Sequence, residues 1–179
     1  VSIAAFGAPM ILLEKLFSGD EFLKAFDMME TYHRKKIDAI IPAEAGGLNG
    51  VIPIGVAANK GVPLVNGDGM GRAFPRLEMV TFTLHGISSS PMSQADEKGN
   101  TAIYNTIDNV WGETLLGSAT IQMGGSSAIG AFPMSGKQVK LAAVKGIMTF
   151  AYEIGKSIID AKKNKENPLE KLLETTKEK

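Results

Sequence analysis

The sequence predicts an α/β fold: a mostly parallel sheet flanked by helices, with additional mixed or antiparallel strands in the second half. Three observations carry this reading. Short apolar runs alternate with amphipathic stretches across the first 66 residues. The connections between those runs are too long for hairpins, which favours parallel strands joined by helical crossovers. Beyond Pro75 the pattern changes to period-two alternation, as in strands with one wetter face.

In chain order, Val1 to Phe6 is an apolar run stopped by Gly7-Ala8-Pro9, a buried strand ended by a turn. Met10 to Phe17 suits a short helix. A longer helix is expected from Ser18 or Asp20, either able to cap it, to about Lys35, with Phe22, Phe26, Met29 and His33 on one stripe. Ile37 to Ile41 is a second compact apolar run, ended by Pro42. Asn49 to Asn59 reads as a helix with Pro53 near its first turn, and Val62 to Val65 as a third strand. Met79 to His85 alternates like a strand, and Thr101 to Thr106 is another candidate. Between them, residues 88–100 are rich in turn formers and read as a polar loop. Ile107 to Gln122 has helical character weakened by Gly112 and Gly117, with Trp111 packed, and Ser126 to Phe132 fits a strand. Gln138 to Ala161 carries apolar residues at helical spacing and gives the strongest helix expectation in the chain. From Lys162 the composition turns charged, Pro168 starts a short amphipathic helix, and the last residues are expected to fray.

The 179 residues suffice for one domain with its own core, here 1–161, followed by a charged helix or tail over 162–179. Nineteen basic residues balance nineteen acidic ones, so no net field draws the chain to nucleic acid or an anionic membrane. No apolar run approaches the roughly 18–20 residues of a membrane span. The absence of cysteine removes disulfides, thiolate metal sites and thiol nucleophiles, and fits a cytoplasmic setting. The chain opens on Val1 directly in strand-like sequence, which reads as a fragment or a processed piece of a longer protein.

Chemistry concentrates where the early strands end. If those strands are parallel, their C-terminal ends share one sheet edge, outside which ligands of open α/β sheets bind. Residues 42–49 (P-A-E-A-G-G-L-N) and 66–75 (N-G-D-G-M-G-R-A-F-P) would then converge, bringing Glu44, Asn49, Asp68 and Arg72 into one concave region. Gly46, Gly47, Gly69 and Gly71 would let a ligand approach backbone N–H groups. Either loop alone reads as tight turns; the two together predict a cleft. His85, on the wetter face, and Asp96, in the polar loop, are further candidates. His33 reads as a core-edge residue. The glycines at 67, 69 and 71 are not followed by the helix that a dinucleotide fingerprint needs, and Gly130 to Lys137 misses the P-loop spacing by one residue. A divalent metal would need carboxylates such as Glu44, Asp68, Asp96 or Glu113, and no cofactor is specified.

Taken together, Gly7-Ala8-Pro9, Glu14-Lys15, E-A-G-G-L-N at 44–49 and D-G-M-G-R-A-F-P at 68–75 resemble the N-terminal domain of the S-methyl-thiohydantoin desulfurase-like family, associated with hydantoinase and oxoprolinase-type proteins. Asp96 with Gly99-Asn100, and Met123-Gly124-Gly125 through Met134-Ser135-Gly136, extend the likeness. The resemblance implies a C-terminal domain beyond this chain and hydrolytic chemistry on a five-membered cyclic ureide or its thio-analogue. Asp68 or Glu44 would then be the base, Arg72 the charge stabiliser, Asn49 a donor, and the N–H groups of Gly46, Gly47 and Gly69 the cradle for developing charge. An arginine that the likeness implies shortly after Glu113 is replaced by Leu116-Gly117-Ser118. The competing readings are a small-molecule binding or regulatory module using the same cleft, and a structural domain whose glycines serve packing. Apolar surface left by an absent partner domain would favour homo-oligomers.

Overall fold

A computed structural model describes residues 1–177. Four strands form the main sheet in the order β1-β5-β3-β4: β1 (Ser2–Gly7), β3 (Met92–Ala95), β4 (Thr101–Tyr104) and β5 (Ser126–Ala131). Every pairing between these strands is antiparallel, as is the small sheet of β2 (Gly67–Asp68) with β6 (Val144–Lys145). The expected mostly parallel sheet is therefore corrected. The runs at 37–41 and 62–65 meet their neighbours only through single parallel bridges, Ser2 with Ile41 and Ile40 with Leu64. Pro42 and Pro63 lack the N–H donors that a longer ladder would need.

Alternation along the strands sorts side chains into two layers. One contains Ile3 and Ala128 with Phe22, Ala25 and Phe26 of α1 (Asp20–His33) and Val56 and Ala57 of α2 (Gly47–Lys60). The other contains Ala4, Ile129 and Ala131 with Met92, Phe82, Phe132 and Leu116 of α4 (Asn109–Gln122). Phe82 and Phe132 meet edge to face at 5.3 Å between centroids. Gly130, in register with Ile3, is where α1 presses on the sheet: a Cβ there would lie 2.6 Å from Ser93 Oγ and 2.9 Å from Met29 Cγ. Gly130→Ala is accordingly expected to lower stability by about 1–3 kcal/mol, measured by urea denaturation.

Several local expectations are overturned for identifiable reasons. Met79 to His85 is not a strand: it contains the one-turn helix α3 (Thr81–Leu84), entered through extended Val80 and tethered by the Thr81 N–H donating to Gly69 O at 2.6 Å. The expected loop 88–100 contains β3, whose polar side chains are buried and paired. Gln94 Nε2 donates to Leu116 O at 3.1 Å, Thr120 Oγ1 at 2.7 Å and Ser127 Oγ at 2.9 Å. The expected helix 138–161 is split into α5 (Gly136–Ala142) and α6 (Ile147–Lys163). Between them Ala143 is extended and Gly146 has φ 80°, which accommodates β6. Met10 to Phe17 yields only a 3₁₀ turn, Pro9–Leu13. Pro53 lies well inside α2.

Trp111, expected to be packed, is 50% exposed, because the inward face of α4 consists of Asn109, Gly112, Leu116 and Thr120. His33, placed by its spacing at the core edge, is exposed in the last turn of α1. α7 (Pro168–Thr176) packs against α6, and the expected fraying of the final residues concerns 178–179, which lie outside the described residues. Among the described residues, no helix is long and apolar enough to cross a membrane.

Candidate functional site

A cavity of about 680 Å³ lies over the C-terminal end of β1. Its floor is lined by β1 and β5, one wall by the N-terminus of α2, and another side by the segment Ala73 to Leu77, a strap of five lining residues. Most of the lining is apolar. Glu44, Asn49, Arg76, Glu113 and Ser126 are the polar residues among it.

The geometry begins with the turn that closes β2. Asp68 is fully buried, and its Oδ1 accepts the N–H groups of Met70 at 3.2 Å and Gly71 at 2.8 Å. Short-range acceptance of this kind is what favours Asp at such turns. Its Oδ2 accepts the Ala45 N–H at 2.6 Å, and the Gly69 N–H donates to Ala43 O at 3.0 Å. The loops carrying Glu44 and Asp68 are thus pinned side by side. Gly69 is needed for this contact, since a Cβ would lie 2.9 Å from both Ala43 O and the Phe82 ring.

Above this layer, Glu44 faces the cavity. Its Oε1 accepts from Asn49 Nδ2 at 2.7 Å and its Oε2 from the Phe74 N–H at 3.0 Å. Asn49, in the first turn of α2, also reaches the backbone of β1: its Oδ1 accepts the Ala5 N–H at 2.8 Å and its Nδ2 donates to Ala5 O at 3.2 Å. One amide therefore continues the strand edge and fixes the carboxylate. α2 starts at Gly46 without a side-chain cap, and Gly46, Gly47 and Leu48 all line the cavity. The first N–H groups of a helix have no partner within it and favour negative charge. At the far end of the floor, Gly7 turns with φ 128° and passes so close to Gly125 O that no side chain fits there.

The sequence-derived candidates therefore divide. Glu44, Asn49, Gly46 and Gly47 share the cavity. Asp68, Gly69 and Gly71 lie in the supporting turn, and the N–H of Gly69, expected to cradle a ligand, is taken by Ala43. Arg72 lies over the Phe74 ring at 5.0 Å and is not a lining residue. His85 caps α3 and is exposed. Asp96 organises the β3–β4 turn, accepting from Lys98 N at 3.0 Å, Asn100 N at 2.8 Å and Asn100 Nδ2 at 2.7 Å. Burial opposes its charge, but these donors outweigh it and hold the carboxyl below its usual range.

Two charged lining residues, Arg76 and Glu113, were outside the expected site. Arg76 follows the D-G-M-G-R-A-F-P string by one residue, and Glu113 had drawn notice only as a carboxylate available to a metal. Glu113 Oε2 accepts the Leu77 N–H at 2.7 Å. Burial, reinforced by the charge of Glu78, raises its pKa against the opposing effects of that N–H and of Arg76. Among the described residues, no group of three or more His, Cys, Asp or Glu side chains is placed to hold a metal ion.

Comparison with known proteins gives consistent matches. The S-Me-THD-like N-terminal domain matches residues 1–106, and the S-Me-THD-like C-terminal domain matches residues 86–179. The C-terminal domain expected beyond this chain is thus matched within it. A crystal structure of a protein from Chromobacterium violaceum superposes with a TM-score of 0.79 at 26% identity, covering 90% of this chain and 46% of that one. This chain therefore spans about half the length of that protein. No curated protein matches it. The two domain matches do not divide the sheet: β1 falls in the first and its partner β5 in the second.

Proposed function

The chain belongs to the S-Me-THD-like family, and from that premise we propose that its cavity hydrolyses a small cyclic ureide of the thiohydantoin type. The observation that carries the reading is Glu44, a carboxylate fixed on a cavity wall beside the uncapped start of α2. A hydrolase of this kind needs a base to take a proton from water and donors where negative charge develops on the attacked ring. Glu44 serves as the base. The N–H groups of Gly46 and Gly47 face the developing charge, and Arg76, at the cavity wall, takes the stabilising role that the motif suggested for Arg72.

Asn49 and Asp68 act as positioning residues. The first orients Glu44 against β1, and the second holds the Glu44 loop through Ala45. The apolar remainder of the lining suits a flat ring and limits water around it. His85 and Asp96 have no part in this scheme.

The test is a panel of hydantoins, thiohydantoins, S-methyl-thiohydantoins and cyclic amides, assayed for thermal stabilisation and for turnover. A raised melting temperature together with release of methanethiol from an S-methyl-thiohydantoin is the expected result. Stabilisation without turnover at any pH would support the alternative of a binding module, and neither effect would overturn both.

A further inference from the structure

We infer that Glu113 is a second catalytic carboxyl of this cavity, the proton donor that works with Glu44. The inference rests on the hydrolytic reading above and deepens it. Both carboxylates line the same cavity, and each receives an N–H from the same strap: Glu44 from Phe74 at 3.0 Å and Glu113 from Leu77 at 2.7 Å. They come from different elements, a loop before α2 and the second turn of α4, so a substrate in the cavity has an acidic group from each.

The placement of Glu113 is rigid. Asp108 caps α4, accepting the Trp111 N–H at 2.7 Å. Buried Asn109 accepts the Ser89 N–H at 2.7 Å and donates to Ile87 O at 3.0 Å. Gly112 brings the helix so close to β3 that a Cβ would lie 3.0 Å from Met92 Cε. A site group carried on a regular element with locked neighbours is held more tightly than one on a loop.

The surroundings suit a donor. Arg76 Nε pairs with Glu78 Oε1 at 2.6 Å, while Glu78 Oε2 is buried without a hydrogen-bond partner. Burial favours the protonated form of Glu113, the Leu77 N–H and Arg76 oppose that preference, and the negative charge of Glu78 adds to it. Two carboxyls in one site with different surroundings are the usual arrangement for dividing base and acid roles.

For an S-methyl-thiohydantoin the step balances as follows. The oxygen of water bonds to the ring carbon bearing sulfur, and its proton passes to Glu44. The C=N π pair moves onto the ring nitrogen, which takes the proton of Glu113. In collapse, the new hydroxyl gives its proton to Glu113, its oxygen forms the C=O, and the C–S bond breaks with its pair on sulfur. The proton on Glu44 passes to that sulfur. Hydantoin and methanethiol leave, and both side chains return to their starting states.

The test measures kcat/KM against pH for an S-methyl-thiohydantoin with the full chain, with Glu113→Gln and with Glu78→Gln. Glu113→Gln keeps an oxygen for the Leu77 N–H and replaces the acidic O–H by an amide that cannot give up its proton. It is expected to lower the rate about 10²–10⁴-fold and to abolish the fall on the alkaline side. Glu78→Gln, which removes the neighbouring charge and leaves Arg76, should move that fall to lower pH; it also decides the case if Glu113→Gln does not fold. Turnover by Glu113→Gln within threefold of the parent, or an alkaline limb unmoved in Glu78→Gln, would overturn the donor role and leave Glu113 as a pin for the strap. Absence of turnover in the parent protein would overturn the hydrolytic reading and this inference with it.

Discussion

Glu44→Gln is expected to reduce kcat/KM for a thiohydantoin-type substrate by about 10²–10⁴-fold while the protein stays folded. The change removes the carboxylate that lines the cavity beside the start of α2. Glutamine can still accept the Phe74 N–H, but its amide nitrogen then opposes Asn49 Nδ2, a donor facing a donor. Losing one partly buried hydrogen bond costs about 1 kcal/mol, so the melting temperature should fall by only a few degrees. Steady-state kinetics with detection of the released thiol, alongside a melting curve, separates the two effects. A variant retaining more than a third of the parent rate would remove Glu44 from the chemistry.

Asp68→Ala should produce the reverse pattern. Three backbone N–H groups, those of Ala45, Met70 and Gly71, lose a buried charged acceptor at once. Hydrogen bonds to charged groups contribute about 1.5–3 kcal/mol each and do not add fully, so a loss of about 3–5 kcal/mol is expected in urea denaturation. Asp68→Asn keeps one acceptor oxygen and should lose about half of that. Turnover per folded molecule should fall far less in Asp68→Asn than in Glu44→Gln, because residue 68 supports the site from below. Equal loss of kcat in the two, at preserved stability, would return the base role to Asp68.

These contrasting outcomes mark what the sequence disclosed and what it withheld. That the loops around Glu44 and Asp68 meet was inferred from parallel strands ending at one sheet edge, and of that premise only the single parallel bridges Ser2–Ile41 and Ile40–Leu64 survive. Which carboxylate reaches the cavity was not legible. That choice depends on where the N–H groups of three separate residues fall, and the Asp68 turn gathers them all. Arg72 shows the same limit: within D-G-M-G-R-A-F-P nothing distinguishes a guanidinium lying over Phe74 from one lining a wall, as Arg76 does four residues later.

The sheet was misread for a related reason. The succession of strand and helix over the first 66 residues is local and visible, whereas the main partner of β1 is β5, a segment of small residues (Ser-Ser-Ala-Ile-Gly-Ala) far along the chain. β3 was hidden by composition. Ser93 and Gln94 look like loop residues until Ala25 O, Leu116 O, Thr120 and Ser127 are seen to satisfy them. Helices with a clean apolar stripe, such as α1 with Phe22, Phe26 and Met29, were recognised because their pattern depends only on near neighbours.

The distance in sequence between β1 and β5 also bears on how the protein comes into being. A ribosome adding about 5–20 residues each second would emit Ser2 to Gly7 on the order of ten seconds before Ser126 to Ala131. Throughout that interval the edge of β1 that β5 will occupy stays open, and its backbone groups invite association with other chains.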